Sequence, residues 1–293
     1  MANLKKIVFI IPYRGIGDII FHIPIFISLF KKYDLRFSII TNKSNKADFL
    51  INKEYYIKNI IFENFDRENL FKNSINLIKR VNTLQPDLLI LTHGSKRLTL
   101  PMMFTNAKEK VFFGRHRNED LASFLIEQFK EKFPNIEFYK SYNLSNIEIK
   151  KNNSIFLSID TNHNQNNWGE DKYIQLINNL KNKYPNYLIY INLAPHNKIY
   201  FEKLIKFFSI AENVFFTDNY PFDKIIKLIS ECNFMIGNES GPTCIAALFQ
   251  KKTFSFFDSN TTPQSSKTIN NKVEFFQKNI SANDFINYIN KFI

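Results

Sequence analysis

Short, nearly continuous apolar runs alternate with segments of helical period along the whole chain. Val8 to Ile11, Phe37 to Thr41, Ile57 to Phe62 and Leu88 to Leu91 read as strands. Between them, Ile19 to Phe30 reads as an apolar helix, and Leu70 to Leu84 carries apolar residues at 70, 71, 75, 77, 78, 81 and 84. Strands that are apolar on both faces and separated by helices belong in a parallel sheet covered on both sides. Right-handed crossovers then place all strand C-termini, and the loops that follow them, along one edge.

The pattern lapses over the polar segment 140–153 and then restarts. Strands are expected at Ile155 to Ile159, Tyr187 to Ile191, Val214 to Phe216, Phe234 to Ile236 and Thr253 to Phe257. Helices are expected at Asp171 to Lys183, Lys198 to Phe208, Phe222 to Glu231, Thr243 to Phe249 and, behind an N-capping Ser281, Ala282 to Phe292. A length of 293 residues suits two such α/β halves. Seven glycines and ten prolines exclude collagen-like or Gly-rich architectures. Two cysteines, Cys232 and Cys244, cannot build a disulfide framework or a thiolate zinc site, which points to a reducing compartment. The basic start runs into Ile7 to Ile11, which stops at Pro12; this is too short for a secretory core and reads as a first strand. No apolar run approaches the roughly 18 residues of a membrane span, and a cytoplasmic protein is expected.

The net charge is +12, but Lys, Asn, Ile and Phe share A/T-rich codons, so the arginines carry more weight. All seven lie within the first 117 residues. Residues 1–150 hold 24 basic against 15 acidic side chains, and 151–293 hold 15 against 12. The first half is therefore the one that would attract an anion. The 32 phenylalanines fall on apolar strand and helix faces without basic interleaving, which is core filling rather than a nucleic-acid stacking platform.

Two loops can hold chemistry. The first, Pro12-Tyr13-Arg14-Gly15-Ile16-Gly17-Asp18, follows the first strand and opens a helix. A dinucleotide fingerprint would need a third glycine where Ile20 stands, and Thr41-Asn42-Lys43 offers no ribose-binding acid after the second strand, so a nicotinamide dehydrogenase ranks last. The loop does present Asp18 at a helix N-terminus, as a plain cap or as a proton acceptor. The second loop, Gly237-Asn238-Glu239-Ser240-Gly241-Pro242, leads from a strand into Thr243-Cys244-Ile245-Ala246-Ala247-Leu248. Pro242 suits a first helical turn, and a helix start reached through small residues can receive a phosphate.

Together these loops, with Pro24 behind the first and Ala246-Ala247-Leu248 behind the second, resemble glycosyltransferase family nine, the lipopolysaccharide heptosyltransferases and their relatives. The likeness continues through Pro86-Asp87-Leu88-Leu89-Ile90, Gly94-Ser95-Lys96-Arg97, Asn106-Ala107-Lys108 to Gly114, and Asn167-Trp168-Gly169-Glu170-Asp171-Lys172-Tyr173. It implies a GT-B fold: two Rossmann-like parallel-sheet domains facing across a cleft. The acceptor domain would span 1–145, the nucleotide-sugar domain 154–280, and the terminal helix in 281–293 would pack back on the first. The implied reaction is an inverting, metal-independent transfer of heptose or a related sugar, without a cofactor, from a nucleoside-diphosphate donor with ADP among the candidates. The acceptor would be a lipopolysaccharide core or other surface glycan. By match Asp18 is the general base, and Trp168, Asn238, Glu239, Ser240, Gly241 and Cys244 form the donor set. Arg14, Gly17, His93, Arg97 and Arg115, with His116 and Arg117 beside them, are candidates for an anionic or lipid-linked acceptor. Peripheral contact with the inner membrane follows from such an acceptor, and no nucleic acid is implied.

Some residues have ordinary readings too: Trp168 as a core anchor and His22 as a surface residue that could orient Asp18. Three departures from the family stand on the donor side. Asn166 and Asn167 replace the basic residues before the Trp, Glu239 replaces an Asp, and Cys244 replaces a His. Charge-assisted hydrogen bonds are about twice as strong as neutral ones, so an altered donor pocket, or a non-catalytic or weakly active nucleotide-sugar- or carbohydrate-binding paralogue, would follow. Lys172 and His163 are the substitutes nearest in sequence.

Overall fold

The structure is a computed structural model that describes all residues except 1–3, 67, 117–119, 143, 145–151, 161–166, 259–264 and 293, and leaves the side chains of residues 195, 196 and 265 undescribed. Arg117, His163 and Asn166 therefore lie outside the described residues. The chain divides into two compact units, Met1–Ile147 and Glu148–Ile293.

The first unit holds strands β1 (Ile7–Ile11), β2 (Phe37–Thr41), β3 (Ile57–Phe62), β4 (Leu88–Leu91) and β5 (Glu109–Phe112). All pair in parallel in the order β3-β2-β1-β4-β5. β1 and β4 lie inside the sheet and are buried along their whole length, which is why their sequences are unbroken apolar runs. β5 is an edge strand, half-buried throughout, and its Glu-Lys-Val-Phe lacks the pattern that marks the others. The helix Ile16–Tyr33 is enclosed from Ile19 to Leu29, so Ile and Phe recur around it rather than on one stripe. Pro24 brings no N–H to this helix, and its carbonyl also accepts from the Ser28 hydroxyl (2.7 Å).

The second unit holds β6 (Ser154–Ser158), β7 (Leu188–Asn192), β8 (Val214–Phe216), β9 (Phe234–Asn238), β10 (Lys252–Phe257) and β11 (Val273–Gln277). This sheet is also parallel, in the order β11-β10-β9-β6-β7-β8. The segment expected as one helix over 198–208 is a 3-10 turn, Pro195–Tyr200, followed by the helix Glu202–Phe208. The terminal helix Ala282–Ile289 belongs to the core of this unit. Phe285, Ile286 and Ile289 are buried in the same core as Trp168, Ile191, Phe254 and Phe256.

Each sheet changes winding direction once, between β1 and β4 and between β6 and β9. At such a switch point neighbouring loops leave the sheet edge in opposite directions, which opens a crevice there. Both candidate loops follow a strand of a switch pair.

Candidate active site

In the first unit the chain leaves β1, turns at Gly15 and enters the helix Ile16–Tyr33 with Asp18 as its third residue. The Asp18 carboxylate accepts the Gly15 N–H through Oδ2 (2.6 Å), closing a cap across the turn. Burial disfavours its ionised form and pushes its pKa up to about 6, against the opposing pull of the Gly15 N–H and the charge of nearby His116.

His22 lies one turn on and is fully buried, not on the helix surface. Burial holds its pKa down to about 4, although the Asp18 carbonyl favours the proton. The neutral ring donates Nδ1–H to that carbonyl (2.6 Å). Its Nε2 is buried without a hydrogen-bond partner among the described residues. Tyr13 donates its hydroxyl to the Thr92 carbonyl (3.0 Å) and sets its ring edge-on to His93 at 5.4 Å. The loop after β1 is thereby tied to the loop after β4. Tyr13 carried no sequence signal beyond its place after Pro12.

Gly94 brings a third loop in. A side chain there would lie 2.5 Å from the Gly114 carbonyl carbon and 2.7 Å from the Phe113 oxygen, so only glycine fits. The close approach, with Gly94 N–H bonded to Gly114 O (2.9 Å), draws Arg115 and His116 towards His93. His93 accepts the Ser95 N–H on Nδ1 (3.2 Å). Its pKa is lowered first by burial, then by Arg97, with Arg115 and His116 adding to the effect. Asp18, His93, Arg97, Arg115 and His116 thus share one edge of the first sheet. Gly17 is buried in the first helical turn and offers only backbone.

Arg14 is different. It stands largely exposed, ion-paired with Asp66, above a surface groove lined by Lys43, Ser44, Phe62 and Glu63. Asp66 also lines the adjoining groove that Arg97 enters, beside Phe65 and Leu70. Arg14 therefore stands at a surface groove, paired with Asp66 in an exposed ion pair of the kind that contributes little stability.

In the second unit β9 ends at Asn238, and Glu239 continues the ladder with its N–H on Phe256 O (2.9 Å). Ser240 precedes the helix Gly241–Leu248 in extended conformation without capping it. Its hydroxyl instead lies 3.2 Å from that of Ser158, at the end of β6. Gly237 makes this possible: a side chain there would lie 2.2 Å from Ser158 O. Glu239, Ser240 and Gly241 are half-buried at the switch point, with the positive end of the helix behind them. Ser158, a hydroxyl closing an apolar strand, is the member of this group that sequence reading missed.

Four donor-side residues are engaged inside the chain, Trp168 in keeping with its reading as a core anchor. Asn238 is completely buried and spends its amide inside the chain: Oδ1 accepts from Trp168 N–H and the Tyr173 hydroxyl (both 3.1 Å), and Nδ2 donates to Ile159 O (2.7 Å). It shapes the loop and has no surface for a ligand. Trp168 is 2% exposed, stacks on Phe256 at 4.1 Å and donates its indole N–H to Ile280 O (3.1 Å); it is a core anchor. Cys244 is buried, with Sγ 3.5 Å from the Ser266 hydroxyl, so it packs beneath the helix. Lys172 donates to the carbonyls of Lys278 (2.8 Å) and Ile280 (2.9 Å), and burial lowers its pKa. It does not replace the missing cations. Asn167 accepts the Gly169 N–H (3.0 Å), a local turn contact.

Comparison with known proteins bears on the whole assembly. No curated protein matches the sequence. Among solved structures, a glycosyltransferase of family 9 from Veillonella parvula superposes with a TM-score of 0.79 at 12% identity, covering 98% of this chain and 96% of that one. The heptosyltransferase WaaC of E. coli with ADP gives 0.77 at 11%, covering 98% and 99%. The ADP-heptose lipopolysaccharide heptosyltransferase II of E. coli gives 0.71 at 11%, covering 98% of each. These likenesses establish the fold, the paired Rossmann-like domains of GT-B enzymes. Residues 116–288 match the model of glycosyltransferase family 9 (heptosyltransferase), and the chain belongs to that family of glycosyltransferases.

Proposed function

We propose that the enzyme moves a heptose or related sugar from a nucleoside-diphosphate donor, with ADP the first base to test, to a hydroxyl of a lipopolysaccharide core or similar surface glycan. The transfer inverts the anomeric centre and uses neither metal nor cofactor. One observation carries the reading: the Asp18 carboxylate stands in the first turn of the helix that leaves the switch point of the first sheet, held by the Gly15 N–H, and burial raises its pKa so that it is more basic than an ordinary carboxylate yet mostly ionised at neutral pH. It takes the proton of the acceptor hydroxyl as that oxygen attacks the anomeric carbon. The bond from this carbon to the diphosphate oxygen breaks, and the departing charge is met by the helix start at Gly241 beside Ser240 and Glu239.

Arg97, Arg115 and His93 suit an acceptor that carries phosphate or carboxylate groups. On the donor side, the neutral Asn167 and the occupied Lys172 leave the diphosphate fewer cations than the family pattern supplies. A lipid-linked acceptor at the inner membrane face fits a chain in which no described helix is long and apolar enough to cross a membrane. Calorimetric titration with ADP-, GDP- and UDP-sugars, followed by product analysis of anomeric configuration with and without a chelator, tests the proposal. Saturable binding of one donor and an inverted, chelator-insensitive product are expected. Failure to bind any of them refutes it, and binding without product in any acceptor screen supports the non-catalytic paralogue instead.

A further inference from the structure

At the N-terminal edge of the first sheet, opposite the catalytic edge, a cavity of about 460 Å³ opens between the strands and the last turn of the helix Leu70–Leu84. β1 is five residues long, so roughly 15 Å of strand separates this cavity from the loop that carries Asp18. Its floor is one row of the ladder, in which Val8 pairs with Ser38 and Ser38 with Asn59. The next row on the same face, Ile10, Ile40 and Ile61, is apolar and belongs to the core. Ser38 and Asn59 thus set a hydroxyl and an amide where core packing would ask for neither. Asn59 buries its Oδ1 without a hydrogen-bond partner among the described residues, a state that native folds rarely leave unfilled.

The rim is basic. The register of β2 and β3 slips here: Phe37 pairs with Ile57 and Ser38 with Asn59, which leaves Lys58 as an extra residue beside the cavity. Lys5, Lys6 and Arg36 share the rim, and Arg36 is fixed by Nε and Nη2 on Ile57 O (2.9 and 2.5 Å). None of these four cations forms an ion pair among the described residues. Asp34 is the one acid of the lining. The helices Ile16–Tyr33 and Leu70–Leu84 both end at this edge. With about half a negative charge for each helix end, the four cations still exceed the local negative charge by roughly two.

We propose that this cavity binds a phosphorylated sugar, with the phosphate on the basic rim and the sugar hydroxyls on Ser38 and Asn59. Guanidinium and ammonium groups meet phosphate oxygens in charge-assisted hydrogen bonds. The amide and hydroxyl of the floor offer a polyol both donors and acceptors. The volume is that of a small-ligand pocket, and a bare phosphate on the rim would leave the polar floor unmet. Because the cavity lies at the far end of the strands from Asp18, its occupancy does not depend on the proposed transfer.

Calorimetric titration of the full chain with glucose 6-phosphate, glucose and inorganic phosphate, read together with amide hydrogen exchange, tests the proposal. Glucose 6-phosphate is expected to bind saturably, at least about tenfold more tightly than either glucose or inorganic phosphate, and to slow exchange at the starts of β2 and β3. Lys6→Gln/Lys58→Gln, at two exposed side chains, should weaken this binding at least about tenfold. Ser38→Ala should weaken glucose 6-phosphate and leave inorganic phosphate unchanged. Arg97→Gln/Arg115→Gln, at the catalytic edge, should bind glucose 6-phosphate as wild type does. No saturable binding, equal affinity for inorganic phosphate, protection confined to the catalytic edge, or undiminished binding by Lys6→Gln/Lys58→Gln would each overturn the proposal. Nucleotide-sugar titration of the Lys6→Gln/Lys58→Gln protein separates these outcomes from failure of the transferase reading, since donor binding should be unchanged.

Discussion

Asp18→Asn should slow transfer severely and at the same time stabilise the first unit. A carboxyl with a pKa of about 6 folded, against an ordinary 3.8, costs the folded state about 3 kcal/mol when ionised at neutral pH. Asparagine resembles the protonated acid: its carbonyl oxygen still accepts the Gly15 N–H, and it carries no charge to desolvate. The variant should therefore gain about 2–3 kcal/mol at pH 7.5. Trp168, the only Trp, lies in the second unit and does not report on this change. Hydrogen exchange of amides in Ile16–Tyr33 does, and should slow about 30- to 150-fold where they exchange through opening of the unit. The gap has a defined pH window. Because the folded pKa is the higher one, wild type regains its lost stability as pH falls through 6, and the two proteins converge below about 4. Transfer by wild type should fall about tenfold per pH unit below 6, and the variant should lose about a thousandfold at pH 7.5. Near-normal transfer by Asp18→Asn, or a stability difference that is absent at pH 7.5, would refute the argument.

Asn238→Leu removes the partners of Trp168 N–H, the Tyr173 hydroxyl and Ile159 O. It should destabilise the second unit by about 3–5 kcal/mol, read by urea unfolding followed through Trp168 fluorescence, with donor affinity falling as the loop loosens. Arg97→Gln should raise the His93 pKa part of the way towards its ordinary value, seen by NMR titration of the ring protons. The same variant should raise the acceptor KM while leaving the donor dissociation constant unchanged.

The alternation of strands and helices, both loop–helix junctions and the position of Asp18 were legible in the sequence. Each depends on residues within one or two turns of one another, and local spacing decides such features. β5 and β11 escaped because short strands at a sheet margin need not be apolar on both faces. What Asn238, Trp168, Cys244 and Lys172 do could not be read in the same way. Trp168 meets Asn238 across 70 residues, and Lys172 meets Ile280 across 108. The register that sets Gly237 beside Ser158 exists only once β6 and β9 have paired. Whether a polar side chain faces a ligand or the core is settled by such long-range pairing, and so is the burial that lifts the Asp18 pKa.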